Sequence, residues 1–212
     1  MAGLVPAIFL DQAVRRPAIA RNVDIFKSLV SDIGSIIRPP LDVTHEGEPD
    51  MSKISPCLWF NGEAEEAAKF YVSLLPDSQI NRVQRNPVDS PAGKAGTVLV
   101  VQFTLAGQEY MALNGGTRFE YTPAISFKID CADQAEVDRL WDALASNGGS
   151  TQQCGWVRDR YGVSWQIVPS VLPEFLGGSD AAGAKRAMQA MLGMTKLNIA
   201  ELRRAYEGRS AA

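Results

Sequence analysis

A single histidine, His45, serves the whole 212-residue chain, and it lies in the polar, Pro- and Gly-punctuated stretch PPLDVTHEGEPD. From Met51 onward no imidazole exists to act as base or ligand, so Ser-His-Asp and Cys-His groupings are excluded there. The three cysteines, Cys57, Cys131 and Cys154, show no C-x-x-C or paired-ligand spacing. Their odd number fits free thiols in a reducing cytoplasm better than a disulfide scaffold. Cys57 and Cys154 read either as inert packed thiols or as ligand contacts.

Amides and aromatics are what remain for recognising a small molecule. Gln102 and Gln166 stand in apolar strand patterns, where an amide needs a hydrogen-bond partner, so each is a structural network member or a ligand contact. Trp59, Trp156, Trp165, Phe103 and Tyr110 offer an aromatic wall or ordinary core. Asn114, ahead of Gly115 and Gly116, marks a turn or a place where backbone approaches a ligand. The carboxylate pairs Glu65 with Glu66 and Asp133 with Asp138 fall on predicted helix surfaces or caps. Arg158, Asp159 and Arg160 fall on a predicted hairpin tip, and all of these read as solvated charge.

The elements that must position these residues follow from periodicity. A chain that is 46% hydrophobic can bury a sizeable core, and a net charge of −3 provides no basic field for nucleic acid or anionic membrane. The opening MAGLVPAIFL has no basic leader and is too short to cross a bilayer. Residues 22–37 place Val23, Phe26, Leu29, Val30 and Ile33 near one helical face, and PPLDVTHEGEPD reads as a linker. Residues 1–50 are therefore expected to be an extension the remainder does not need, or upstream sequence read through from an early start codon.

From Met51 one supersecondary unit is expected twice. Ile54 to Phe60 reads as a strand. Ala64, Ala67, Ala68, Tyr71, Val72 and Leu75 then form a helical stripe. A short segment around Ile80 to Gln84 follows, and Thr97 to Leu105 and Gln108 to Asn114 read as strands joined at Ala106-Gly107. The second copy begins with the strand AISFKID from Ala124. Asp133 and Glu136 form a capping box, and Val137, Leu140, Trp141 and Leu144 form the buried stripe. Asn147-Gly148-Gly149 stops that helix, and STQQCGWVRD and YGVSWQIV make a hairpin. The fold class is α+β, with paired βαβββ units over residues 51–175 and helices over 176–212. In that tail Ala187, Met188, Met191, Leu192, Leu197, Ile199, Leu202 and Tyr206 are the apolar positions, the methionines serving as core or interface filler.

The strings SPCLWFNGEAEEAAKFY, ALNGG, QCGWVRDRYGVSWQIVP and RAMQAMLGMTKLNIAEL together closely resemble the PhnB-like family of the vicinal-oxygen-chelate superfamily, relatives of glyoxalase I and extradiol dioxygenases. The likeness covers about residues 52–205. Members are often labelled demethylubiquinone methyltransferase, although no strand here leads into a Gly-rich loop that could cradle S-adenosylmethionine. The resemblance implies a homodimer with a small-molecule pocket on concave sheets. It also implies metal ligands on the first and last strand of each unit. Those places hold Pro56 or Cys57, Ala112 to Asn114, Ala124 or Ser126, and Gln166, none of them His, Asp or Glu. Neutral amides and one thiol are a poor set for a divalent ion, so no metal and no cofactor are expected. The ligand-binding candidates are Cys57, Trp59, Gln102, Asn114, Cys154, Trp156 and Gln166. Two alternatives stay open: a metal-dependent lyase, isomerase or dioxygenase with unrecognised ligands, and an interaction module built on the C-terminal helices.

Overall fold

A computed structural model describes residues 53–209, so the amphipathic 22–37 segment, the linker and His45 lie outside the described residues. The chain forms β1 (Cys57–Phe60), α1 (Ala64–Val72), β2 (Gln79–Arg85), β3 (Val98–Leu105) and β4 (Gln108–Asn114). It continues as β5 (Phe127–Cys131), α2 (Gln134–Ala145), β6 (Ser150–Thr151), β7 (Trp156–Arg158) and β8 (Ser164–Pro169). Three helices close it: α3 (Leu172–Gly177), α4 (Ala181–Gly193) and α5 (Ile199–Glu207). The strand orders are β1-β4-β3-β2 and β5-β8-β7-β6, the same topology twice, with the first strand of each sheet parallel to the last. The expected paired βαβββ architecture is therefore present.

Two strands start later than their residue types indicate. β1 begins at Cys57, because Pro56 has no N–H to offer a ladder, and Ile54 is left 83% exposed. β5 begins at Phe127. The turn in which Ile125 N–H donates to the Thr122 carbonyl keeps Ala124 and Ser126 out of the sheet, and Ile125 is 77% exposed.

Both helical stripes pack as their spacing predicts. Ala64, Ala67, Ala68 and Tyr71 of α1, and Val137, Leu140, Trp141 and Leu144 of α2, are all buried. They share one core with Leu58, Phe60, Val101, Phe103, Ile129, Trp165 and Ile167. Asp133 accepts from Glu136 N–H at 2.9 Å while Glu136 accepts from Ala132 N–H at 2.7 Å, a box that satisfies two donors at the start of α2. Ala106 and Gly107 both have positive φ, as a two-residue hairpin turn demands.

The tail helices build a second cluster from Leu172, Phe175, Ala187, Met194, Leu197 and Leu202. Met194 is buried in it, whereas Met188 and Leu192 are exposed and take no part in this core. They lie four apart, on the face of α4 turned away from Ala187.

Asn114 shows how one side chain locks an element. Its Oδ1 accepts from the backbone N–H of Gly62 at 2.9 Å and of Ala64 at 3.1 Å, and its Nδ2 donates to the Val98 carbonyl at 3.0 Å. It thus caps α1 from 50 residues downstream, where Glu63 makes no side-chain cap of its own. Asn114→Ala is expected to cost about 2 kcal/mol, since buried amides lose their acceptor. Urea unfolding measures it, and an unchanged midpoint would show that solvent replaces the cap.

Candidate functional site

Strand alternation gives the first sheet two faces. One carries Leu58, Phe60, Val101, Phe103 and Ala112 into the shared core beneath α1. The opposite face is read from the ladder as rows of cross-strand neighbours. Cys57, Met111, Gln102 and Arg82 form one row, and Trp59, Leu113, Val100 and Gln84 the next. Leu113 and Val100 are buried, and Cys57 is exposed, so the face runs from a covered end to an open one.

The sequence candidates divide over this framework. Cys57 and Gln102 share a row and Trp59 stands in the next. The Gln102 side chain is half-buried and makes no hydrogen bond with any described residue. Although the residue is exposed, desolvation by its surroundings raises the Cys57 thiol pKa above the ordinary value, so it keeps its proton and is no nucleophile. Trp156 and Gln166 are directly paired on β7 and β8, with Lys128 of β5 on Gln166's other side. Gln166 Nε2 donates to Ser126 Oγ at 2.8 Å. Asn114 projects to the helix side, where its amide is fully engaged by backbone.

Cys154 does not lie on a hairpin strand as expected. It has φ +59°, because its N–H donates to the Met194 carbonyl and Gly155 N–H to the Thr195 carbonyl, and the tail thereby draws the chain out of the ladder. Its Sγ meets the Met191 carbonyl at 3.6 Å.

At the far end of β1 the chain builds a cleft that the residue types alone do not reveal. Gly115 leaves room for the Trp59 indole, whose Nε1 donates to the Thr117 carbonyl at 2.6 Å and whose ring meets Phe119 edge-on at 5.2 Å. Tyr121 Oη donates to the Trp59 carbonyl at 2.8 Å. Trp59, Asn61 and Glu63 line a small cavity of about 50 Å³ together with Arg118, Phe119, Tyr121, Arg160 and Tyr161. The last five also line a larger cavity of about 230 Å³, together with Glu120, Gly148, Ser150, Arg158, Asp159 and Gly162. Burial pushes the Tyr161 hydroxyl up to about 12, helped by its bond to Glu66 at 2.8 Å. It is a neutral wall at physiological pH.

The hairpin tip behind this wall is held by Asp159, which is 3% exposed, contrary to the solvated role its neighbours predict. Oδ1 accepts from the N–H groups of Tyr161 at 2.9 Å and Val163 at 3.0 Å. Oδ2 accepts from Tyr71 Oη and Trp165 Nε1, both at 2.8 Å. Burial pushes its carboxyl up, and these four donors oppose that by favouring the charged form. Arg160 is also not free in solvent. It lies over the Phe70 ring at 4.4 Å and reaches Glu66 at 3.3 Å. The tip of the second unit is thus fastened to α1 of the first, which fixes the cleft between them.

Duplicated βαβββ sheets with a helix layer on one face define the glyoxalase-like class. The family model described as 3-demethylubiquinone-9 3-methyltransferase matches residues 52–168, and the chain belongs to that family, the PhnB-like proteins. It is similar to the solved structure of a putative 3-demethylubiquinone-9 3-methyltransferase, PhnB protein, from Bacillus cereus. That likeness has 38% identity and a TM-score of 0.52 over 56% of this chain and 99% of that one. A protein from Staphylococcus aureus is 32% identical over 57% of this chain and 99% of its own, with a TM-score of 0.27. A lactoylglutathione lyase from Agrobacterium tumefaciens is 17% identical over 60% of this chain and 92% of its own, with a TM-score of 0.31. No functionally curated protein matches the chain.

Proposed function

We propose that this protein is a metal-independent binder of a small organic molecule, held by the open face of the first sheet and the Trp59 cleft, acting as a cytoplasmic homodimer. The observation that carries it is Gln102, a half-buried amide with no partner among the described residues, in a row with Cys57 and Met111. A half-buried amide between Met111 and Arg82 is stabilised by a ligand that takes its hydrogen bonds. Trp59 supplies an apolar plane two residues along β1 from Cys57. The three free thiols fit a reducing compartment, and no described helix is long and apolar enough to cross a membrane.

The donors at the four places where relatives hold a metal do not fit a divalent ion. Pro56 has no side-chain donor and the Cys57 thiol is held protonated, Ala112 and Leu113 are packed and Asn114 caps α1, while Ala124 and Ser126 precede β5. Gln166 bonds to Ser126. Among the described residues no three His, Cys, Asp or Glu side chains converge. A methyl donor fits no better, because both strand-to-helix turns have amides already taken, by Asn114 at α1 and Asp133 at α2. These residues support neither a lyase step on a metal nor a methyl transfer.

Protein purified from its native cytosol, measured by non-denaturing mass spectrometry and metal analysis, tests this reading. An organic adduct near one per chain is expected, lost in Gln102→Leu, with no stoichiometric metal. A full complement of Fe, Mn, Ni or Zn bound by residues 53–209 would overturn it.

A further inference from the structure

We propose that the larger cavity beside the Trp59 cleft binds an oxyanion, the carboxylate or phosphate group of the ligand. This rests on the small-molecule reading of that cleft and names the chemistry of what it takes. Three arginines line the cavity, Arg118, Arg158 and Arg160. Arg118 comes from the segment after β4, and the other two from the hairpin tip.

Two of the three have no acidic partner among the described residues. Arg118 makes no hydrogen bond or ion pair with a described residue. Arg158 has only a carbonyl partner, its Nε donating to Gly162 O at 3.2 Å. Arg160 meets Glu66 at 3.3 Å, but its Nε is the one buried side-chain polar atom without a partner among the described residues. Two acids also face the cavity. Asp159 is turned to its four neutral donors and Glu66 pairs with Arg160, which leaves Arg118 and Arg158 as the guanidinium groups without an ion-pair partner among the described residues. Guanidinium forks match carboxylate and phosphate oxygens geometrically, and those of Arg118 and Arg158 have no acid to engage among the described residues.

The adjoining walls set the rest of the ligand. Phe119, Tyr121 and Tyr161 line both cavities, and Trp59 lines the smaller one. A planar apolar body against these rings with its anionic end among the arginines spans both cavities.

Benzoate, benzyl alcohol and inorganic phosphate are suitable probes, read by the NMR shift of the Trp59 indole N–H, which Trp59→Phe assigns. Benzoate is expected to bind in the millimolar range. The double variant Arg118→Ala with Arg158→Ala, two exposed residues, is expected to bind it at least about tenfold more weakly, the loss of one charge-assisted contact. Benzyl alcohol binding is expected to be indifferent to the variant. Phosphate that displaces benzoate with the same arginine dependence marks a phosphorylated ligand, and benzoate binding untouched by phosphate marks a carboxylate. Equal binding of benzoate and benzyl alcohol, or benzoate binding unaltered in the variant, overturns the oxyanion site. If no probe binds while a co-purified ligand still depends on Gln102, the oxyanion site alone falls. If no probe binds and no ligand is found, both readings fall.

Discussion

Replacing Asp159 with alanine is expected to lower the unfolding free energy by on the order of 4 kcal/mol, because the buried Tyr71 hydroxyl and Trp165 indole N–H lose their acceptor at about 2 kcal/mol each. At that size the melting midpoint falls by about 10 °C. The two oxygens make a graded series possible. Asp159→Asn can keep Oδ1 on the N–H groups of Tyr161 and Val163 while its amide nitrogen faces the Oδ2 donors. Tyr71 can turn its hydroxyl to accept from that nitrogen. Trp165 can only donate, so one conflict remains and an intermediate loss is expected. Tyr71→Phe removes one donor and leaves three, at about 1 kcal/mol. Urea unfolding of the three variants reads the order directly. An alanine variant within about 1 kcal/mol of the parent would mean that desolvation of the carboxylate cancels its bonds.

Gly115→Ala is expected to abolish ligand binding while leaving the protein folded. A Cβ at this position would overlap Trp59 Cζ2, Cε2 and Cη2. The ring must leave, which breaks the Nε1 bond to the Thr117 carbonyl and the contact with Phe119, and the cleft loses its flat wall. Overpacking of this kind costs about 1–3 kcal/mol, which the fold can bear. Gly177→Ala is the control, since nothing lies within 4 Å of its Cβ and it ends helix α3. Tryptophan fluorescence and mass spectrometry of the co-purified ligand distinguish the two variants. A Gly115→Ala protein that retains the ligand at parental occupancy would remove the Trp59 cleft from the site.

Most of the scaffold is legible because it is written in short-range pattern. Tyr71 falls on the α1 stripe and Trp141 on the α2 stripe by helical spacing, and Asp133 with Glu136 announces the start of α2. Ile54 and Ile125 are less legible. Both look strand-like, but Pro56 and the Thr122 turn withdraw them from the ladders. Asn114 is legible as a special position and not as a cap, because Gly62 and Ala64 are about fifty residues away in sequence.

The cleft is the least legible part. Arg158, Asp159 and Arg160 are consecutive charges at a turn, and local pattern assigns such a run to solvent. Asp159 is buried because Tyr71, 88 residues earlier, and Trp165 bring donors to it. A D-R-Y-G turn whose Asp can accept from the next two available N–H groups is the one local signal. The distant donors have none.

The residue order by itself determined the duplicated βαβββ units, their helix faces, the lack of any imidazole after Met51 and the poverty of metal ligands, all properties of composition and of periods of two and three to four residues. Only the tertiary structure decided that Gln102 has no hydrogen-bond partner among the described residues while Gln166 is bonded, that Asp159 is interior, and that Arg118 joins Arg158 and Arg160 around one cavity. Those outcomes depend on contacts between residues tens of positions apart. The free energy of such contacts comes from desolvation and geometry in three dimensions, which no local pattern encodes.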